Sequence, residues 1–356
     1  MQPVILSGSY YEQGVQHGRQ LRSHILSIVE ERFQYRPQWD MARVTYHLSL
    51  LQTNMEKYCP WLVEEMRGIA EGAELSYDDI FTYNCIADIS LINIFCSNIA
   101  FQDTLEGPAL GKTNDVGKDT QRYHVLLQRT GGDGQPLLWV TWPGTVWANC
   151  FVNGAGFCYG GASVKKVARN QEGIPSNVLQ RVIADKAATV SEAISLMQAT
   201  PIMHHPLNAT LADSEGNIAV VEKAPDGCDV RLPEGKNAIF ATNHFCGPTL
   251  AGTDSEGYSA YDSHGVAGYE QFKDNSRARF KKLEQLAASG EHSVERLKTI
   301  LADHTEPVGI CQHGALARTG YEGMWTTTAY VALPRTRTLY FAYGRPCETA
   351  YDCYSL

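Results

Sequence analysis

Apolar residues recur at three- and four-residue intervals through the first quarter of the chain. Leu21, Ile25, Ile28 and Val29 line one face of a helix predicted over 11–29, and Leu48, Leu51 and Met55 mark a second. Pro60 opens a third, which turns Leu62, Met66 and Ile69 inward and Glu64, Glu65, Arg67 and Glu71 outward before Gly72 ends it. Those charged positions read as a solvated helix face. From position 96 the texture changes. Short apolar or β-branched runs at 97–101, 110–113, 123–128, 137–142 and 157–160, broken by Gly, Pro and Asp, predict successive strands. Helical spacing returns at 177–188 and 191–199, with Ser191 as a cap. Strands follow at 209–212 and 218–222, joined by the tight turn Asp213-Ser214-Glu215-Gly216, and at 237–242. A Gly-, Ser- and Tyr-rich loop over 246–274 precedes helices at 276–288 and 294–303 and final strands at 326–333 and 338–343. A helical region, then strands, paired helices and strands again, fits two sheets covered by helices on both outer faces.

Composition narrows the function. At 356 residues, 44% hydrophobic and 19% charged, the chain is an ordinary globular protein with material for two domains or one large layered one. A formal charge of −9 and the lack of any long Lys/Arg run argue against a nucleic-acid partner. The start of the chain carries no basic segment followed by a long apolar one, and no stretch is apolar for about 20 residues, so the expectation is a cytoplasmic protein without a membrane partner. Ten cysteines are scattered singly with no C-x-x-C, as buried, reduced thiols would be. Cys311-Gln312-His313 alone does not supply the four ligands of a zinc site, so no metal is expected. No bound cofactor is expected either, because Gly154 and Gly156 are followed by a strand and do not open a helix as a dinucleotide fingerprint would. Trp139, Trp142 and Trp147 cluster in the β region, where they line a pocket or fill the core.

Candidate chemistry centres on Cys96, in Phe95-Cys96-Ser97-Asn98-Ile99-Ala100-Phe101, at the change of texture. A thiol there can attack the carbonyl before it, shift the peptide to a thioester and let water release a new N-terminal cysteine. An α-amine has a pKa of about 7.7–8.0, so one residue would then supply both nucleophile and base. Two other readings stand beside it. Asn243-His244, at the end of a predicted strand, could bind substrate or give a papain-like thiol peptidase with Cys96 and His244 that needs no cleavage. Alternatively, bulky Phe95 before Cys96 could hold back maturation and leave a binding protein on the same fold.

Several blocks, in order, carry a family resemblance: Gly14 to Gly18, Glu65 to Ala73, Cys96-Ser97, Gly111-Lys112-Thr113-Asn114-Asp115, Asn208 with Leu211-Ala212-Asp213 and Glu222, Thr242-Asn243-His244, Asp303-His304, and Ile310 to His313. In these the chain resembles the autoproteolytic acyltransferase/hydrolase family typified by acyl-CoA:6-aminopenicillanic acid acyltransferase, within the N-terminal nucleophile hydrolases. The resemblance implies an α+β, four-layer αββα fold. It also implies cleavage between Phe95 and Cys96, which would give a mainly helical pro-segment or α-subunit, 1–95, and a catalytic β-subunit, 96–356, that together form one domain. Cys96 would be the nucleophile, Asp115 the anchor of the new amine, Lys112 a cation beside the thiol and Asn208 an oxyanion-hole donor. The implied partners are a small-molecule amide substrate, with an acyl-thioester donor or amine acceptor if the reaction is transfer, and the two fragments of the same precursor; self-association is left open. The typical family member has glycine before the nucleophile, where this chain has Phe95.

Overall fold

The computed structural model describes residues 2–34, 39–89, 95–254, 269–317 and 322–356. Successive side chains of a strand point to opposite faces, and strands such as 95–101 and 207–213 are buried at every position, which requires a layer on either side. One sheet has eight strands in the order β1 (Val4–Leu6), β4 (Val125–Arg129), β5 (Leu137–Thr141), β6 (Cys150–Asn153), β7 (Phe157–Ser163), β8 (Leu207–Asp213), β9 (Ile218–Ala224) and β10 (Gly227–Arg231). The other runs β11 (Ala238–Ala241), β2 (Phe95–Phe101), β3 (Ala109–Val116), β13 (Met324–Leu333), β14 (Thr338–Ala342) and β15 (Asp352–Ser355), with β12 (His313–Ala315) beside β13. Ala100, Leu110, Leu138, Val140, Ala212 and Phe341 fill the space between the sheets.

On the outside of the first sheet, Leu127, Trp139, Phe151 and Leu211 meet α1 (Tyr10–Gln20), α2 (Arg22–Phe33), α3 (Met41–Tyr58), α4 (Pro60–Ala73), α5 (Tyr77–Asn84), α7 (Ser176–Lys186) and α8 (Val190–Ala199). A one-turn α6 (Ile86–Ile89) leads towards β2. On the outside of the second sheet, Ile99, Phe101, Ala329 and Val331 meet α9 (Tyr269–Ala287) and α10 (Val294–Leu301). The four layers are therefore αββα, as the sequence pattern predicts.

Residues 1–95 are built into this sandwich. β1 pairs in parallel with β4 and so adds a strand to the first sheet. α1 and α4 cross at backbone contact: a Cβ at Gly14 or Gly68 would lie 2.9 Å from the amide of Ile69 or Val15 on the facing helix, and Gly18 and Gly72 repeat the contact one turn on. Glu65, read from sequence as part of a solvated face, is instead buried, because α4 turns it onto α7. There Arg181 grips it with two hydrogen bonds of 3.0 and 2.8 Å. Arg181 also bonds Asp185 at 3.1 Å, and Arg129 reaches the same carboxylate at 2.6 Å.

Other departures are local. The predicted 11–29 helix breaks at Leu21, where φ is −111°, and a Ser9/Glu12 capping box starts α1. The cap of α8 is Thr189, whose side chain accepts from the Glu192 amide, in place of Ser191. α9 starts at Tyr269, earlier than the periodicity shows, and residues 255–268 of the predicted 246–274 loop lie outside the described residues.

Candidate active site

The β2–β3 pairing sets the geometry. Cys96 lies opposite Asn114 and Asn98 opposite Lys112, so the side chains of Cys96, Lys112 and Asn114 share the face between the sheets. Lys112 Nζ donates to Cys96 Sγ at 3.4 Å, and Sγ lies 3.5 Å from Asn114 Oδ1. Lys112 also donates to Asn114 Oδ1, and Asn114 Nδ2 donates to Thr328 Oγ1 at 3.1 Å and to the Tyr330 hydroxyl. Burial pushes the Cys96 thiol above its ordinary pKa, and Lys112 pulls it part of the way back.

Asp115, one residue on, faces the outer helices. Its Oδ1 accepts the Thr326 hydroxyl at 2.7 Å, and its Oδ2 lies 3.4 Å from Thr113 Oγ1 and 3.9 Å from Arg279 Nη1. A β-bulge in β13 makes this possible: Thr326 pairs with Asp115 and Thr328 with Asn114, so the extra residue sends the two threonine side chains to opposite faces. Burial raises the Asp115 pKa, and Arg279 opposes that rise.

Arg279, from α9, holds the backbone of Cys96. Nη1 donates to Cys96 O at 2.7 Å and to Ser97 Oγ at 2.9 Å, Nη2 to Asn243 Oδ1 at 2.8 Å and Nε to Asn275 Oδ1 at 2.8 Å. Asn243 Oδ1 also accepts the Cys96 amide at 3.1 Å. Lys165 lies nearby, its Nζ 5.8 Å from the Phe95 ring centre, and burial lowers its pKa to about 7. A cavity of about 30 Å³, room for about two waters, touches Cys96, Lys112, Asn114, His124, Gln180 and His205. Burial lowers His124 to about 4 and His205 to about 3, so both are neutral at pH 7. His124 Nδ1 and Gln180 Oε1 have no partner among the described residues.

The structure thus brings Cys96, Lys112, Asp115 and Asn243 together. It uses Asn208 differently from the expected oxyanion donor: both Nδ2 hydrogens are engaged, one by Thr242 O at 2.9 Å and one by His244 O at 2.8 Å. Asn208 therefore holds the turn that carries Asn243. His244 turns to the outer helices, where Nδ1 lies 2.8 Å from Ser276 Oγ and 3.1 Å from Thr242 Oγ1 and the ring packs on Phe280. That placement disfavours pairing with Cys96. Arg279 is a site residue that the sequence pattern does not single out. A signal exists in the small polar Asn275 and Ser276, which with Arg279 interrupt the buried side of α9 between Phe272 and Leu283.

A four-layer αββα sandwich, with a cysteine, a buried cation and paired amide and carboxylate groups at the head of one strand, joins a sequence that places the chain among enzymes acting on amide bonds. The chain belongs to the acyl-coenzyme A:6-aminopenicillanic acid acyl-transferase family, whose sequence profile matches residues 104–346. No curated protein matches in sequence. Among solved structures, the penicillin V acylase of Agrobacterium tumefaciens is 13% identical with a TM-score of 0.46, covering 70% of this chain and 83% of its own. The Caenorhabditis elegans ortholog of N-acylethanolamine-hydrolyzing acid amidase is 13% identical with a TM-score of 0.45, covering 67% and 93%. A point mutant of the Clostridium perfringens conjugated bile acid hydrolase is 10% identical with a TM-score of 0.43, covering 73% and 97%. No helix among the described residues is long and apolar enough to cross a membrane.

Proposed function

We propose that the enzyme cuts its own chain between Phe95 and Cys96 and then uses Cys96 to break a small, non-peptide amide. In the first reaction Sγ adds to the Phe95 carbonyl carbon. The C–N bond breaks, the thiol proton passes to nitrogen, and water hydrolyses the resulting thioester to a Phe95 carboxylate and a free cysteine. In the second, Sγ attacks the substrate carbonyl, the α-amine of Cys96 carries the proton to the departing amine, and water or an acceptor amine removes the acyl group. An acyl thioester would enter as a donor substrate.

The observation that carries this reading is the grip on Cys96 from two sides: Lys112 Nζ lies 3.4 Å from its sulfur, while Asn243 Oδ1 and Arg279 Nη1 hold its nitrogen and carbonyl oxygen at 3.1 and 2.7 Å. Lys112 favours the thiolate electrostatically. Because Phe95 pairs with Asp115 in the sheet, its departure opens the place beside that carboxylate, and the new ammonium can move there to a charge-assisted bond. In the uncut chain the cavity at Cys96 is too small for an acyl group. Residues 1–95 would remain in place through β1 and the Glu65–Arg181 contact.

Denaturing mass spectrometry with N-terminal sequencing tests the proposal. The expected result is two pieces, roughly a quarter and three quarters of 39.4 kDa, the larger beginning at Cys96, from wild type and neither from Cys96→Ala. A single intact mass with full amidase activity would overturn it.

A further inference from the structure

The Thr326 hydroxyl that donates to Asp115 accepts in turn the Gln312 amide at 2.7 Å. Gln312 sits between two residues of metal-binding type. Cys311 Sγ lies 3.6 Å from Cys347 Sγ, and His313 Nε2 lies 3.5 Å from Cys311 Sγ and 3.3 Å from Cys347 Sγ. His304 places a ring nitrogen within 4.8 Å of the His313 and Cys347 donors. These residues come from the turn after α10, from β12 and from the β14–β15 connection. We propose that Cys311, His313, Cys347 and His304 bind one tetrahedral zinc ion.

The distances support the assignment. Zinc bonds of about 2.3 Å to sulfur and about 2.0 Å to nitrogen, at tetrahedral angles, put two sulfurs about 3.8 Å apart and a sulfur and a nitrogen about 3.6 Å apart. The Cys311–Cys347–His313 triangle matches within a few tenths of an ångström. A disulfide would require the sulfurs at about 2.0 Å. His304 Nδ1 lies 3.0 Å from Ala302 O, the kind of carbonyl contact that orients a ligating imidazole with Nε2 outward, and this exposed side chain, near His313 and Cys347 but not Cys311, must rotate towards Cys311 to close the fourth corner. Two thiolates neutralise the dication, and an S₂N₂ tetrahedron selects zinc over the hard cations. Binding releases one proton from each cysteine to solvent. One contact must yield: Arg345 Nη1 lies 3.5 Å from His313 Nδ1, but Arg345 is already paired with Glu348.

Position gives the ion a role. Besides the Gln312–Thr326–Asp115 chain, Gln312 Oε1 accepts from Asn275 Nδ2 at 3.2 Å, and Asn275 Oδ1 receives Arg279 Nε. The metal would fasten the loop that buttresses both Asp115 and Arg279, a role that rests on the proposed function, whereas the metal assignment itself does not.

Plasma mass spectrometry of full-length protein grown with zinc is the test, together with a cobalt titration of the metal-stripped chain. The expected result is about one zinc per chain and a cobalt spectrum with tetrahedral visible bands and thiolate charge transfer. Cys347→Ser and Cys311→Ser should lose both, while Cys228→Ser and Cys96→Ala keep them. Retention in Cys96→Ala separates this site from self-cleavage. Wild type with neither zinc nor the cobalt spectrum, or a Cys311–Cys347 disulfide in an unreduced peptide map, would overturn the assignment without recourse to any variant.

Discussion

Arg181→Met would leave Glu65 as an uncompensated carboxylate inside the protein. In the wild type Arg181 is Glu65's ion-pair partner, and both side chains are buried. Asp185 would keep Arg129 at 2.6 Å and the Trp61 indole at 3.0 Å, so Glu65 alone is stranded. Burial already raises the Glu65 pKa with Arg181 in place, and without that cation it rises much further. The folded variant then escapes the charge by binding a proton that the unfolded chain, with a carboxyl pKa of about 4.3, does not bind. At about 1.36 kcal/mol per pH unit, this costs about 3.7 kcal/mol at pH 7 and about 1 kcal/mol at pH 5. The figure at neutral pH falls within the roughly 3–5 kcal/mol expected when one partner of a buried pair is removed.

The sign follows from linkage. Because the folded pKa is raised, the penalty is absent below about pH 4.3 and grows with pH until the folded pKa is reached. With an unfolding entropy of about 2.1 cal/mol/K per residue over 356 residues, this part of the Tm loss is about 5 °C at pH 7 and about 1 °C at pH 5. Differential scanning calorimetry on an uncut Cys96→Ala background measures it without complication from cleavage. Glu65→Gln added to Arg181→Met should recover most of the loss. A Tm gap that is constant with pH and indifferent to Glu65→Gln would refute the reasoning.

Gly68→Ala drives a methyl group into the backbone of α1, so a loss of about 1–3 kcal/mol is expected, offset only in part by about 1 kcal/mol of better helix propensity. In processed protein this should appear as release of the 1–95 fragment at lower urea, read by size exclusion. Lys112→Met removes the cation 3.4 Å from Cys96 Sγ. The thiol pKa should rise by about one unit or more, moving the alkaline-rising limb of the iodoacetamide alkylation profile upward and slowing alkylation at pH 7 by about 10-fold or more. An unchanged profile would exclude Lys112 as an influence on the nucleophile.

The αββα order is legible because burial on both faces of a strand leaves short, near-continuous apolar runs set off by Gly, Pro and Asp, unlike the three-and-four spacing of the helices. The strands that escaped are short: β1, β6, β10, β12 and β15 are three to five residues long, too brief to establish a period. Glu65 escaped for another reason. It sits among Glu64, Arg67 and Glu71, and nothing local distinguishes a buried glutamate from a solvated one when its partner, Arg181, lies 116 residues away. The proposed zinc site is hidden in the same way, since Cys311-Gln312-His313 reads as incomplete until the fold delivers Cys347 and His304. Asn208 shows the opposite difficulty: its place in the chain fits the family pattern, but only coordinates reveal that both its amide hydrogens are engaged.

Under the proposed function one residue serves as both nucleophile and base, and the pleat of β2 lets different groups reach its sulfur and its main chain. In a strand the side chain of residue 96 points to one face, and the main-chain groups beside it can be approached from the other. Here the sulfur enters the layer between the sheets, where Lys112 and Asn114 lie, while Arg279 and Asn243 reach the nitrogen and carbonyl oxygen from the α9 side. Sulfur and main chain are therefore hydrogen-bonded by separate sets of groups, while Arg279 and Asp115 still act on the thiol through space, behind burial and Lys112. The β13 bulge extends that separation to the support residues, giving Thr328 to Asn114 and Thr326 to Asp115. Under the proposed function, substitutions on the α9 side should accordingly alter cleavage more than alkylation, whereas those around Lys112 should slow both, because the same sulfur attacks in each. Comparing Arg279→Gln with Lys112→Met for precursor half-life and alkylation rate tests that division, and equal effects of both variants on both rates would show that the two faces act as one.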